Sequence, residues 1–235
     1  MSSIGTFLMA DDNPVGILLT IARKDAQTGR KVVNLSSWYV EEGHRWSAAR
    51  LLMAALSDKE AIYTDLSPTK AAAEINARFG FRTFGFKRLL LVLPWLAVVG
   101  PRKGHLVALD AVPPGAIAEP LLRDLRRHLD LGCVVTVVEA GGRYHPVVLG
   151  MIRRRHVSAA RVIFAESIEI VTDNLGAIAR LLLLRGMPLL VLEVEEDRSV
   201  PHAWVWKRGL CHQVKGDWDD SLINELYSER VLLNV

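Results

Sequence analysis

Between Gly43 and Gly80 the chain has no glycine. Other markers of specialised chemistry are also scarce. Only two cysteines occur in 235 residues, Cys133 and Cys211, far apart and without metal-ligand spacing. A disulfide framework and a thiolate metal site are therefore not expected, and both side chains read as buried, reduced thiols. His105, His128, His145, His156, His202 and His212 are scattered without metal spacing, so no metal is expected. The formal net charge is only +3. With no lysine-rich tail and no aromatic-basic interleaving, this gives no case for nucleic acid, although it suits a small polyanionic ligand. The longest apolar run, Leu89 to Val99, is short and broken by Pro94. It reads as a buried strand and turn rather than a membrane span. The start, MSSIGTFLMADDN, lacks a basic n-region and a long apolar stretch, which places the protein in the cytoplasm as an expectation.

What is present is apolar patterning. Half of the residues are hydrophobic, enough for one large domain or two small ones. Ile4–Ala10, Val15–Ala22 and Lys31–Val40 read as strands joined by the polar turns Asp11–Pro14 and Asp25–Gly29, an antiparallel meander. A helix is expected from about Trp46 to Leu56, with Ala48, Leu51, Leu52, Ala55 and Leu56 on one face. Ala61–Leu66 reads as a strand. A second helix follows, with Ser67 as N-cap, Pro68 at its first position and Gly80 as its left-handed stop. Phe81–Val99 contains one long strand or two, and Pro101–Gly115 reads as a domain boundary.

The pattern then starts again. A helix over roughly Ala116–Asp130 carries Arg123, Arg126 and Arg127 on a solvated face and is capped by Gly132. Strands Val134–Glu139, Pro146–Ile152 and Arg161–Ala165 follow, then a helix from about Asn174 to Leu184 and a strand Pro188–Val194. Three strands, a helix and a strand thus occur twice, and Ala49-Arg50-Leu51-Leu52 matches Ala179-Arg180-Leu181-Leu182. Together these predict an internal duplication. Trp204–Lys207 reads as a strand, Asp219–Glu225 is a possible helix, and Tyr227–Leu233 a possible closing strand.

The stretch VVNLSSWYVEEGHRWSAARLL, Val32 to Leu52, runs from strand to helix through a short polar turn. The first amides of a helix lack internal partners, and the helix dipole adds partial positive charge, so such an end attracts phosphate. Ser47, Ala48 and Ala49 are small, and Arg45 and Arg50 would add charge. Val171–Gly176 is a second strand-to-helix turn, but it has no arginine at the corresponding place and carries Asp173.

VEEGHRWSAARLL resembles the acetyl-coenzyme A binding core of the GCN5-related N-acetyltransferases, whose turn carries Arg/Gln-x-x-Gly-x-Gly/Ala. Val40 matches the strand-end apolar position and His44-Arg45 the pair that follows. Trp46, Ala48 and Arg50 stand where small residues are usual. IYTDLSPTKAAAEINARFGFR resembles the next strand and helix with the Gly80-Phe81-Arg82 ending. Thr69 replaces a frequent Asn, and Asn76 stands where many members carry the tyrosine that protonates the coenzyme thiolate. NLSSWYVE, YTDLSP, IRRRHVSAARVIF and YSERVLL resemble a bacterial subgroup of acyl-CoA acyltransferases built as tandem folds.

The resemblance implies an α+β fold, a mixed sheet with flanking helices, in two tandem halves: 1–100, short at its N-terminus, and a second, decayed half over 101–235. It implies an acyl-CoA-dependent acyltransferase that passes an acetyl or acyl group directly to an amine or hydroxyl acceptor, small molecule or protein. Acyl-CoA would be the substrate, Tyr39, Val40, Arg45, Trp46, Ser47, Ala48, Ala49 and Arg50 would bind it, and Tyr39, Tyr63 or Ser37 would be the catalytic candidates. The alternative is a non-catalytic acyl-CoA-binding or partner-binding protein, with a homodimer as a further possibility.

Overall fold

Three strands joined by polar turns open the chain in the computed structural model, which describes residues 5–26, 28–154, 157–219 and 223–232. β1 (Gly5–Ala10), β2 (Asn13–Lys24) and β3 (Lys31–Val40) pair antiparallel. The first hairpin turns on Asp11 and Asp12, both with positive φ, the backbone a two-residue loop demands and one that aspartate tolerates. A 3-10 turn, Glu42–Ser47, leads into α1 (Ala48–Ala55). β4 (Ile62–Asp65) then returns parallel to β3, so the chain makes a strand, helix, parallel strand crossover. α2 (Lys70–Arg78) and β5 (Arg82–Val92) follow.

The described residues group into two compact units. Unit 1 is the chain up to Gly85 with Cys211–Trp218 and Tyr227–Glu229. Its core sets Leu18, Val33 and Leu35 of the sheet against Leu51 and Leu52 of α1, with Ala61, Tyr63 and Phe81. Leu18 and Leu52 are fully buried; each contributes about 1.5–3 kcal/mol by leaving water. The end of β11 (Ala203–Lys215) pairs antiparallel with β4, Gln213 opposite Asp65.

Unit 2 holds Phe86–Leu210, Asp219–Leu226 and the residues from Arg230 onward. α3 (Leu93–Val99), β6 (His105–Val107) and α4 (Glu119–Asp130) precede the antiparallel strands β7 (Val134–Ala140), β8 (Arg143–Arg154) and β9 (Val157–Ala165). After α5 (Ile168–Thr172) and α6 (Leu175–Leu183), β10 (Leu189–Glu195) lies parallel to β9 and antiparallel to β5. The order meander, helix, parallel strand therefore occurs in each unit. Arg230, from the YSERVLL stretch, is buried between Glu193 at 2.9 Å and Glu225 at 2.6 Å. Two buried carboxylates around one guanidinium offset much of the cost of taking its charge out of water.

Several expectations are corrected. Ser67 and Pro68 do not start α2: Thr69 caps it, its hydroxyl accepting from the Ala72 amide at 3.2 Å. Residues 93–99 are helix rather than strand, because Pro94 sits in the first turn of α3, where its missing N–H costs nothing. In the segment expected to be helical over 219–225, Ile223–Asn224 form a short strand, β12, beside β9; residues 220–222 lie outside the described residues. Glu229–Leu232, expected as strand, form the helical turn α7. Leu233 and His156 lie outside the described residues. Cys133 and Cys211 are free thiols, the first buried and the second half-buried.

Candidate functional site

The site is built where β3 and β4 part. Their parallel pairing covers only Val32–Leu35 against Ile62–Asp65. β4 ends there, while β3 runs on to Val40. Beyond Leu35 the β4-facing edge of β3 has no strand partner among the described residues, and its backbone groups remain open to a ligand. On its other edge β3 carries a bulge: Leu18 opposes Trp38 and Thr20 opposes Leu35, leaving Ser36 and Ser37 both opposite Leu19. The extra residue bends the strand and resets the alternation. Val33 and Leu35 face the core before the bulge, Trp38 and Val40 after it. Ser37 and Tyr39 point to the other side and are exposed. Strict alternation would have put one of the two serines in the core, and the bulge is why neither is fully buried.

The turn after β3 is helical from Glu42, four residues earlier than expected. Ala48 donates its amide to the Arg45 carbonyl, and Ser47, with φ −89° and ψ −1°, is inside the helical path rather than a cap. Its buried side chain makes no capping bond. The first bond of the turn runs from the His44 amide to the Glu41 carbonyl at 2.9 Å. The open donor end is therefore at Glu42 and Gly43, upstream of the expected Ser47–Ala49. A Cβ added at Gly43 would meet nothing within 4 Å, so the one glycine of this turn stands at its open end. Arg45 lies 3.9 Å from Glu42 with both side chains largely exposed, an arrangement too well solvated to hold the guanidinium tightly. Trp46 and Arg50 are exposed, Ala48, Ala49 and Val40 half-buried.

No protein-family model matches the chain, and no curated protein does either. Solved structures do. A GCN5-related N-acetyltransferase from Anabaena variabilis superposes with a TM-score of 0.54 at 12% identity, over 89% of this chain and 61% of that one. A probable N-acyltransferase from Enterococcus faecalis gives 0.52 at 12%, over 93% and 61%, and Eis1 from Mycobacterium abscessus gives 0.50 at 16%, over 91% and 65%. The chain has the fold of the GCN5-related N-acetyltransferases (GNATs). It spans about three fifths of the length of these structures.

Unit 2 has its own turn into a helix, and that turn is filled. The α6 start at Leu175 is covered by the chain's own Gly100–Gly104 segment. The Gly176 amide donates to the Pro101 carbonyl at 2.9 Å, and Asn174, fully buried, accepts from the Gly104 amide at 2.7 Å. Lys103 pairs with Asp173 at 3.0 Å. A Cβ on Gly176 would fall 2.4 Å from the Gly100 oxygen. The second turn singled out in the sequence is thus a packed joint with no room for a phosphate.

The remaining candidates separate clearly. Tyr63 is buried, and its hydroxyl donates to the Asp58 carbonyl at 3.0 Å and accepts from the Asp58 amide at 3.2 Å. Burial pushes its pKa up. Tyr39 is exposed beside the open edge. Asn76, at the place of the GNAT tyrosine, is fully buried and donates from Nδ2 to Asp65 Oδ2 and Gln213 Oε1, both at 2.9 Å.

Sequence reading missed the polar cluster around that asparagine. Asp65 also accepts from the Ser67 amide at 3.3 Å, and the Ser67 hydroxyl donates to Glu229 at 3.1 Å. The Glu229 amide donates to Asn34 Oδ1, and Asn34 Nδ2 donates to Thr64 Oγ1 at 3.2 Å. Asp65, Asn34, Thr64 and Gln213 are all buried. The only local signal was Asp65 itself, an acid ending a buried strand with no other charged residue.

Proposed function

We propose that unit 1 binds an acyl-CoA and transfers its acyl group directly to an amine or hydroxyl acceptor. The observation that carries this reading is the parting of β3 from β4 at Leu35, with the Ser36–Ser37 bulge and a helix start beyond it. A thioester arm needs an unpaired strand edge to lie along, and its diphosphate needs backbone donors. The open edge of residues 36–40 and the Glu42 and Gly43 amides supply both, with Arg45 adding positive charge. Tyr39 and Val40 bring their backbone to the thioester carbonyl, where amides polarise it. The bound reactants then meet without a covalent enzyme intermediate.

The halves 1–100 and 101–235 are read as a duplicated unit, on the strength of the repeated meander, helix and parallel strand. The ligand belongs to the first, because the second turn is filled by Gly100–Gly104.

A second reading, a binding protein without turnover, is favoured by one observation: Asn76 replaces the tyrosine proton donor, and the Tyr63 hydroxyl is spent on Asp58. The two are separated by titrating the full chain with acetyl-CoA and longer acyl-CoAs while following thiol release over a panel of amines and alcohols. Binding with thiol release supports transfer; binding alone supports the second reading; no binding to any CoA ester defeats both.

A further inference from the structure

An acyl transfer leaves one proton to move. The attacking amine or hydroxyl must lose it, and the leaving coenzyme sulfur must gain it. Resting on the acyltransferase reading, we infer that Asp65 carries this proton. Its carboxylate accepts the proton as the C–N or C–O bond forms and hands it to the sulfur as the C–S bond breaks. Acyl acceptor and thioester become amide or ester and thiol, with Asp65 returned to its starting form.

Position comes first. Asp65 is the last residue of β4 and pairs with Leu35, the last paired residue of β3. It therefore sits at the point where the two strands part. Orientation comes second. Asn76 holds one carboxylate oxygen at 2.9 Å and the Ser67 amide the other at 3.3 Å. Asn76 is fixed in turn by Gln213, whose Nε2 donates to the Ala73 carbonyl at 3.1 Å and to Thr83 Oγ1 at 3.0 Å. The residue in the tyrosine's place thus does not donate a proton but aims a carboxyl group that can.

The surroundings suit proton exchange near neutrality. The Asp65 pKa is raised to about 6, chiefly by burial and also by the Glu229 charge, against the Asn76 and Ser67 hydrogen bonds and His212, which act to lower it. Cys211, a titratable neighbour, is pushed up by burial and by Asp65, which keeps it a thiol and no rival nucleophile. The buried oxygens without a hydrogen-bond partner among the described residues include Asn76 Oδ1, on the residue that grips Asp65, and Ser228 Oγ, next to Glu229 in sequence. Buried acceptors left open next to a pair of acids mark where a ligand or water donor belongs.

The test uses the full chain and Asp65→Asn, which keeps the shape of the side chain but cannot take a proton from the acceptor. Acetyl-CoA affinity by titration calorimetry stays within about threefold of wild type, while kcat for thiol release falls at least about a hundredfold. The wild-type kcat rises with pH through a limb near pH 6, and the variant lacks that limb. Turnover by Asp65→Asn within about threefold of wild type, with the same limb, overturns the assignment and leaves the acyltransferase reading intact. A wild-type kcat flat between about pH 5 and 7.5 overturns it whatever the variant does, including a variant that fails to fold. Wild-type protein that binds no CoA ester, or binds without turnover with any acceptor, removes the reading on which it rests and the assignment with it.

Discussion

Tyr63 and Asp65 lie two residues apart on β4, on the same face of the strand, and answer different questions. Tyr63 closes a staple on both backbone groups of Asp58. Tyr63→Phe is therefore expected to lose about 1–2 kcal/mol of stability in denaturant unfolding and to leave acyl-CoA affinity unchanged. Asp65 is the reverse, a residue whose native environment disfavours its charge. Its pKa is raised from 3.8 to about 6, so the folded state binds its proton more tightly than the unfolded chain does. Its contribution to stability is fully present below about pH 4 and falls as the pH rises to about 6. Asp65→Asn removes that dependence. Its melting temperature relative to wild type should be higher at pH 8 than at pH 4, by the equivalent of about 2–3 kcal/mol at most. An equal difference at both pH values would refute the shift. The role of Asp65 is not visible in YTDLSP as a string, because its surroundings come from α2, β11 and the 227–229 segment.

At the scale of elements, the short-range signals carry most of the fold. The meander follows from period-2 patterning and polar turns, and Gly80 and Gly132 adopt the positive φ expected of helix stops. The errors have local causes. Pro68 invites a helix start, but the hydroxyl in bonding position is Thr69. The apolar run after Leu89 fits strand and buried helix equally, and only Pro94 marks the change. The bulge at Ser36–Ser37 has no sequence period at all, yet it shapes the candidate site. The two turns make opposite predictions. Gly43→Ala meets open space and should change stability by no more than about 0.5 kcal/mol, while crowding the donor end and weakening acyl-CoA binding. Gly176→Ala drives a Cβ into the Gly100 carbonyl and should cost about 1–3 kcal/mol in the same unfolding measurement, with no direct effect on the ligand.

For the whole molecule, the meander, helix and parallel strand occur in each unit, and we read them as two GNAT-like halves with different fates. The first keeps an open turn and a polar cluster. The second has tucked Gly100–Gly104 over its helix start and buried its charges, as in the Arg230, Glu193 and Glu225 group. The repeated element order was legible because each unit keeps its own patterning. That the second turn is filled was not, because the filling segment lies some seventy residues before the turn it closes.

The central claim is an acyl-CoA site at the parting of β3 and β4. Calorimetric titration of the full chain with acetyl-CoA and a long-chain acyl-CoA, repeated on Arg45→Glu, tests it most directly. The account predicts one molecule bound per chain and an affinity at least about tenfold weaker in the variant, the loss of one charge-assisted contact. Two equal sites per chain, an unchanged affinity in Arg45→Glu, or no binding of any CoA ester would contradict it.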